Sequence, residues 1–122
     1  MSKTILFVED QEDNRRIMRD LLKSAGYEII EAVTGLEGVA AAEREHPDLI
    51  LMDIQLPEID GYEATRRIKA NPDLCDIPII AVTSYALSGD DAKSFEAGCD
   101  AYVTKPFSPR ELLAKVREFV GS

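Results

Sequence analysis

Five short apolar runs recur along the chain, and the stretches between them space their apolar residues three and four apart. The first run is Thr4-Ile5-Leu6-Phe7-Val8 and the third is Leu49-Ile50-Leu51-Met52. Neither alternates apolar with polar positions. A strand that is apolar on both faces belongs inside a parallel sheet, covered by helices from either side. The runs at 27–33, 77–82 and 101–104 read as three further strands, with Ile29 and Ile30 central in the second and Pro78 near the start of the fourth.

The intervening segments carry helix signals. After Gln11-Glu12-Asp13-Asn14, a helix is expected to present Ile17, Met18, Leu21, Leu22 and Ala25 on one face, with Gly26 just past its end as the C′ glycine. Thr34-Gly35-Leu36-Glu37 is a capping box, in which the Thr hydroxyl bonds the N3 amide and the Glu reaches back to the N-cap amide. The helix it opens stops at His46-Pro47, because proline pushes the residue before it out of the helical region. His46 then sits at a helix C-terminus, where positive charge is favourable, and this accounts for it without a catalytic role. Asp60-Gly61-Tyr62-Glu63 forms a second box for a helix ending near Asn71-Pro72. Ser88-Gly89-Asp90-Asp91 caps a fourth helix closed by Gly98. Ser108-Pro109-Arg110-Glu111, with Pro at the first helical position, starts a fifth that buries Leu112, Leu113, Val116, Phe119 and Val120.

Strict β–α alternation predicts an α/β fold: a five-stranded parallel sheet with right-handed crossovers and helices on both faces. The chain's 122 residues suit one core and not two, so residues 1–122 are expected to form a single domain with no output domain attached.

The strand ends carry the chemistry. The first ends in Glu9-Asp10, the third in Asp53, the fourth in Thr83 and the fifth in Lys105. The second ends without such a group, which suits an outer place in the order 2-1-3-4-5. That order puts the switch point, where open α/β sheets bind ligands, between the strands that end in Asp10 and Asp53. Carboxylates gathered there repel unless a cation joins them. Hard oxygen ligands with open positions suit Mg²⁺, with Mn²⁺ as an alternative. The backbone carbonyl of Gln55 is a further candidate ligand. Lys105 balances charge from the far side and the Thr83 hydroxyl can donate to an anionic oxygen. A carboxylate nucleophile, a divalent metal, a lysine and a hydroxyl are the parts needed to transfer a phosphoryl group onto Asp53.

Charge narrows the partners. Fourteen Lys and Arg face twenty-three Asp and Glu, a net charge of −9 that repels phosphate backbones and argues against nucleic-acid binding. The basic clusters Arg15-Arg16-Arg19 and Arg66-Arg67-Lys69 fall on amphipathic helices and read as solvated faces, the alternative being a patch for an acidic partner. No apolar run is long enough to span a membrane and no signal-peptide pattern opens the chain, so a cytoplasmic protein without membrane contact is expected. Cys75 and Cys99 share no metal-ligand spacing with each other or with His46 and read as free thiols.

Val8-Glu9-Asp10, Leu51-Met52-Asp53, Leu56-Pro57-Glu58-Ile59-Asp60-Gly61, Thr83-Ser84 and Lys105-Pro106-Phe107 resemble the receiver domain of bacterial two-component response regulators. The likeness spans essentially the whole chain, and is greatest to the stand-alone, DivK-like receivers of division and cell-cycle signalling. The resemblance implies a flavodoxin-like fold and a phosphoprotein whose Asp53 takes phosphate from a phosphohistidine on a sensor kinase or phosphotransfer protein. It implies Mg²⁺ bound through Glu9, Asp10 and Asp53, and a switch pair in which Thr83 moves toward the phosphoryl group and Tyr102 turns inward behind it. The Lys105-Pro106 bond would be cis, aiming Lys105 at the pocket. Glu9 departs from the Asp of many members, and its longer arm is expected to reach the metal through water. Gln55 and Tyr85 stand where access of water to the phosphoryl group is tuned. Output is expected through the face of helix four, strand five and helix five, which contains Tyr102, by a shift between two pre-existing states.

Three rivals are weaker. A hydrolase with an aspartyl-phosphate intermediate needs a second acid two residues after the nucleophile, and that residue is Gln55. A nucleotide or flavin carrier needs a Gly- or Ser/Thr-rich loop after the first strand, and Glu9 to Asn14 is acidic and lacks glycine. A scaffold that is never phosphorylated would not need the complete set of strand-end groups.

Overall fold

A computed structural model describes residues 3–56, 58–83, 95–104 and 108–120. Its strands are β1 (Thr4–Val8), β2 (Glu28–Ala32), β3 (Leu49–Asp53), β4 (Ile79–Thr83) and β5 (Ala101–Thr104). They form one sheet in the order β2-β1-β3-β4-β5, every adjacent pair parallel. Helices α1 (Glu12–Ser24), α2 (Gly35–Glu45) and α3 (Gly61–Lys69) follow the first three strands, and a C-terminal helix spans Pro109–Val120. Residues 95–97 are helical and end at Gly98. The predicted cap Ser88–Asp91 lies outside the described residues.

Two cores, one on each face, explain the unbroken apolar runs. Leu6, Val8, Ile50 and Met52 pack with Ala41 and Ala42 of α2 and with Ala64 and Ile68 of α3. Ile5, Phe7, Leu49 and Leu51, the alternate positions of the same strands, pack with Met18 and Leu22 of α1 and with Leu112 and Val116 of the C-terminal helix. Each fully buried large side chain contributes about 1.5–3 kcal/mol. β3, buried at all five positions including its terminal Asp53, is the centre of the molecule.

The caps fall where the residue types require, with two differences in detail. Thr34 Oγ1 accepts from the Glu37 amide at 3.1 Å, but Glu37 reaches past the cap to the Val33 amide at 2.9 Å. Asp60 Oδ1 accepts from the Glu63 amide at 2.9 Å, whereas the Glu63 carboxylate turns outward to Arg66 and Arg67. Ser108 Oγ accepts from the Glu111 amide at 3.1 Å, with Pro109 at the first helical position. Gly26, at φ +94°, occupies the left-handed turn after α1.

α1 differs most from expectation. It begins at Glu12, so the acidic stretch expected to precede it forms its first turn, where negative charge favours the helix dipole. Ile17, expected on the buried face, is 62% exposed. The basic clusters are matched by acids within the chain: Arg15 and Arg19 meet Glu31, Arg16 meets Asp13, Arg66 and Arg67 meet Glu63, and Lys69 meets Asp100.

Candidate functional site

Parallel pairing brings the ends of β1 and β3 side by side. Val8 pairs with Met52, so Glu9 and Asp10 leave β1 beside Asp53, the last residue of β3. Ligand-capable oxygens of Glu9, Asp10 and Asp53 all lie within 4.8 Å of one another. Glu9 and Asp53 are buried, at 0% and 2% exposure, and Asp10 is half-buried at the rim. Two like charges about 5 Å apart cost roughly 3 kcal/mol at an effective dielectric near 20, so such a cluster needs donors and counter-charge around it.

Donors are present. Asn14 Nδ2 gives a hydrogen bond to Glu9 Oε1 at 2.8 Å, and the Asp10 amide gives one to Glu9 Oε2 at 3.1 Å. Arg15 Nη1 donates to the Glu9 carbonyl at 3.0 Å while its Nε lies 3.6 Å from Glu31. Gln55 N donates to Asp53 Oδ1 at 3.1 Å, an Asx turn that bends the chain sharply off the strand.

The loop after β3 closes on itself through a glycine. The Gly61 amide donates to the Ile54 carbonyl at 3.0 Å. A Cβ at Gly61 would collide with the Asp53 carbonyl oxygen and come within 2.7 Å of Ile54 Cα. The first turn of α3 thus rests directly on the backbone of Asp53, a contact only glycine permits.

Mg²⁺ fits this donor set. Three hard carboxylate oxygen donors lie within 4.8 Å of one another, and oxygens sharing one Mg²⁺ at about 2.1 Å lie roughly 3–4 Å apart, so a small closing of the cluster would bring all three to one ion. Asp10 and Asp53 suit direct ligation, and the longer arm of Glu9, already hydrogen-bonded at both oxygens, suits contact through water.

The other predicted residues fall as follows. Thr83 ends β4, fully buried; Asp53 pairs with Val82, so Thr83 lies one position further on the neighbouring strand. Tyr102 of β5 pairs with Ala81, two before Thr83, so strand alternation puts Thr83 and Tyr102 on one face of the sheet. Tyr102 is half-buried, its ring edge-on to Phe95 with centroids 6.1 Å apart. Tyr102, Val103 and Thr104 line an open groove of about 500 Å³ with Glu111, Ala114, Lys115 and Glu118 of the C-terminal helix. Gln55 is exposed beside the acids. Lys105, Pro106, Ser84 and Tyr85 lie outside the described residues. Asn14, Arg15 and Gly61 were not foreseen as site residues. The available signal for the first two was the spacing from Glu9, which lets a helix starting at residue 12 turn them back toward the strand end.

Fold and site together define a class: a parallel α/β domain that collects carboxylates at the switch point of its sheet. The chain matches the response regulator receiver domain over residues 5–117 and belongs to that family, whose members are switches in two-component signalling. It is 44% identical over 121 residues, 99% of this chain and 98% of the relative, to the polar-differentiation response regulator DivK of Brucella ovis, with the same figures for that of Brucella abortus (strain 2308). Among solved structures it is similar to the receiver domain of the sensor histidine kinase PA1611 from Pseudomonas aeruginosa PAO1, which has a magnesium ion coordinated in its active-site cleft. That match has a TM-score of 0.93 at 40% identity and covers all of both chains. It is also similar to the chemotaxis protein CheY4 of Vibrio cholerae, with a TM-score of 0.92 at 25% identity over 98% of this chain and 99% of that one. Among the described residues no helix is long and apolar enough to cross a membrane.

Proposed function

We propose that this chain is a phosphorylation-controlled binding switch whose acceptor is Asp53. The observation that carries the proposal is the convergence of Glu9, Asp10 and Asp53, from two adjacent strands, on one point. An Asp53 oxygen attacks the phosphorus of a phosphohistidine on a sensor kinase or phosphotransfer protein in line. The O–P bond forms as the N–P bond breaks, and the electron pair leaves with the imidazole nitrogen. Mg²⁺, or Mn²⁺ in its place, held by Asp10, Asp53, the Gln55 carbonyl and, through water, Glu9, would neutralise charge on the transferred phosphoryl oxygens. Lys105 pairs with one of those oxygens and the Thr83 hydroxyl donates to another. The chemistry is directed at the chain itself, as uptake and later hydrolysis of one phosphoryl group, so the protein acts as a switch and not as an enzyme on other substrates.

Thr83 drawn toward the phosphoryl group leaves space behind it, and Tyr102, on the same face of the sheet, turns into that space. Phosphorylation so biases a two-state equilibrium, and the groove between β5 and the C-terminal helix, with the helix before Gly98, presents the result to a protein target in the cytoplasm. The signal passes through protein contacts, without nucleic acid or membrane.

The test is intact mass after incubation with acetyl phosphate, with and without Mg²⁺. One added phosphoryl group is expected, dependent on Mg²⁺, released by hydroxylamine and absent in Asp53→Asn. Uptake indifferent to metal, or a stable adduct on Ser84, overturns the proposal.

A further inference from the structure

We propose that Asn14 is a positioning residue for the metal pocket: its carboxamide holds the Glu9 carboxylate toward Asp10 and Asp53, so that all three acids face one cation. The inference rests on the reading of this pocket as a Mg²⁺ site and adds to it the part that makes a glutamate work at this position.

Glutamate has one more rotatable bond than aspartate, and its carboxylate is repelled by the two acids beside it. A freely turning Glu9 would swing away from them. Yet it is fully buried, with an oxygen inside the cluster. Among the described residues, two N–H groups bias it there. The Asp10 amide donates to Oε2 at 3.1 Å and belongs to the backbone, as it would at any residue. Asn14 Nδ2 donates to Oε1 at 2.8 Å, the shorter of the two, and is a choice of side chain. It sits in the first turn of α1, on an exposed helical position that has no evident packing duty. Arg15, the next residue, fixes the Glu9 carbonyl, so consecutive residues of the helix hold the backbone and the side chain of one acid. Each carboxylate oxygen has two acceptor sites, so these bonds leave Glu9 able to accept from metal-bound water. Partners of this kind, one step removed from the metal, typically change affinity 10–100-fold when removed.

The experiment is calorimetric titration of the folded protein with MgCl₂. Asn14→Ala should weaken Mg²⁺ binding by about tenfold in protein that is still folded at the titration temperature. The same substitution in a Glu9→Asp background, whose shorter arm Asn14 does not reach, should change binding by less than about twofold. Phosphoryl uptake by Asn14→Ala from acetyl phosphate should return to the wild-type rate at saturating Mg²⁺, because the defect lies in holding the ion. If wild-type protein binds Mg²⁺ and Asn14→Ala binds it equally well, or if the loss is the same in both backgrounds, the positioning role is wrong while the metal site stands. If wild-type protein takes up no Mg²⁺, the metal reading and this inference fall together.

Discussion

The two edges of the sheet handle charge in opposite ways. At the amino edge two acids meet donors of their own. Asp48 Oδ2 accepts from the Thr4 amide at 2.8 Å, and Asp100 Oδ2 accepts from the Ile79 amide at 2.8 Å and from Lys69 Nζ at 3.1 Å. Lys69 also donates to the carbonyls of Cys75 and Ile77, so one ammonium ties α3 to the starts of β4 and β5. The Thr65 hydroxyl and the Cys99 thiol, both buried and neutral, meet 3.7 Å apart. At the carboxyl edge three acids crowd together, and the donors around Glu9 orient charge more than they remove it. The amino edge pairs its acids with donors, and the carboxyl edge gives up stability to hold three acids together.

Aspartate substitutions at the two edges should therefore shift stability in opposite directions. Asp100→Ala strips an acceptor from the Ile79 amide and from Lys69 and should cost about 3 kcal/mol, read as a fall in the urea midpoint at unchanged slope. Cys99 gives the amino edge an alkaline limit. Burial pushes its thiol up to about 11, well above the value in the unfolded chain, so the folded state holds the proton more tightly. The stability this represents is fully present below about pH 9 and is lost as pH rises from there through about 11, a decline on the order of 2 kcal/mol. Denaturant midpoints across that range should fall in the wild type and stay flatter in Cys99→Ala; matching slopes would show that another group governs the alkaline limb. The smallest effect has the opposite sign. Asp53→Asn keeps the acceptor used by the Gln55 amide but removes one charge from the cluster, and should raise metal-free stability by about 1 kcal/mol. In wild type, added Mg²⁺ should raise the melting temperature, and in Asp53→Asn that rise should largely vanish.

The elements that were plain from the sequence are those whose signal is local. β1, β3 and β5 have the bounds their residues suggest, because an unbroken apolar run between polar ends leaves little choice. β2 and β4 are shorter than the runs that announced them. Tyr27 is taken by the turn closing α1, through its amide bond to the Leu22 carbonyl, and Ile77 turns back through its own to Leu74. The start of α1 was hidden because Gln11 makes no side-chain cap. With the helix expected to follow Asn14, that residue looked like part of a loop and Arg15 like part of a solvated helix face, so their hold on Glu9 was invisible. Ile17 looked like core because its spacing is right, but the stripe that packs is narrower, centred on Met18 and Leu22. The convergence of Glu9, Asp10 and Asp53 was legible because alternation implies a parallel sheet, the bare end of the second strand suits an outer place, and that order makes the ends of β1 and β3 neighbours.

The absent side chain at position 61 makes the backbone around Asp53 hard to relocate or rebuild. With a lone hydrogen separating a helix from the carbonyl behind Asp53, even a methyl group must pry the two apart. A change at this position therefore disturbs the seat of Asp53 itself, whereas changes on the outer helix surfaces leave that seat where it is.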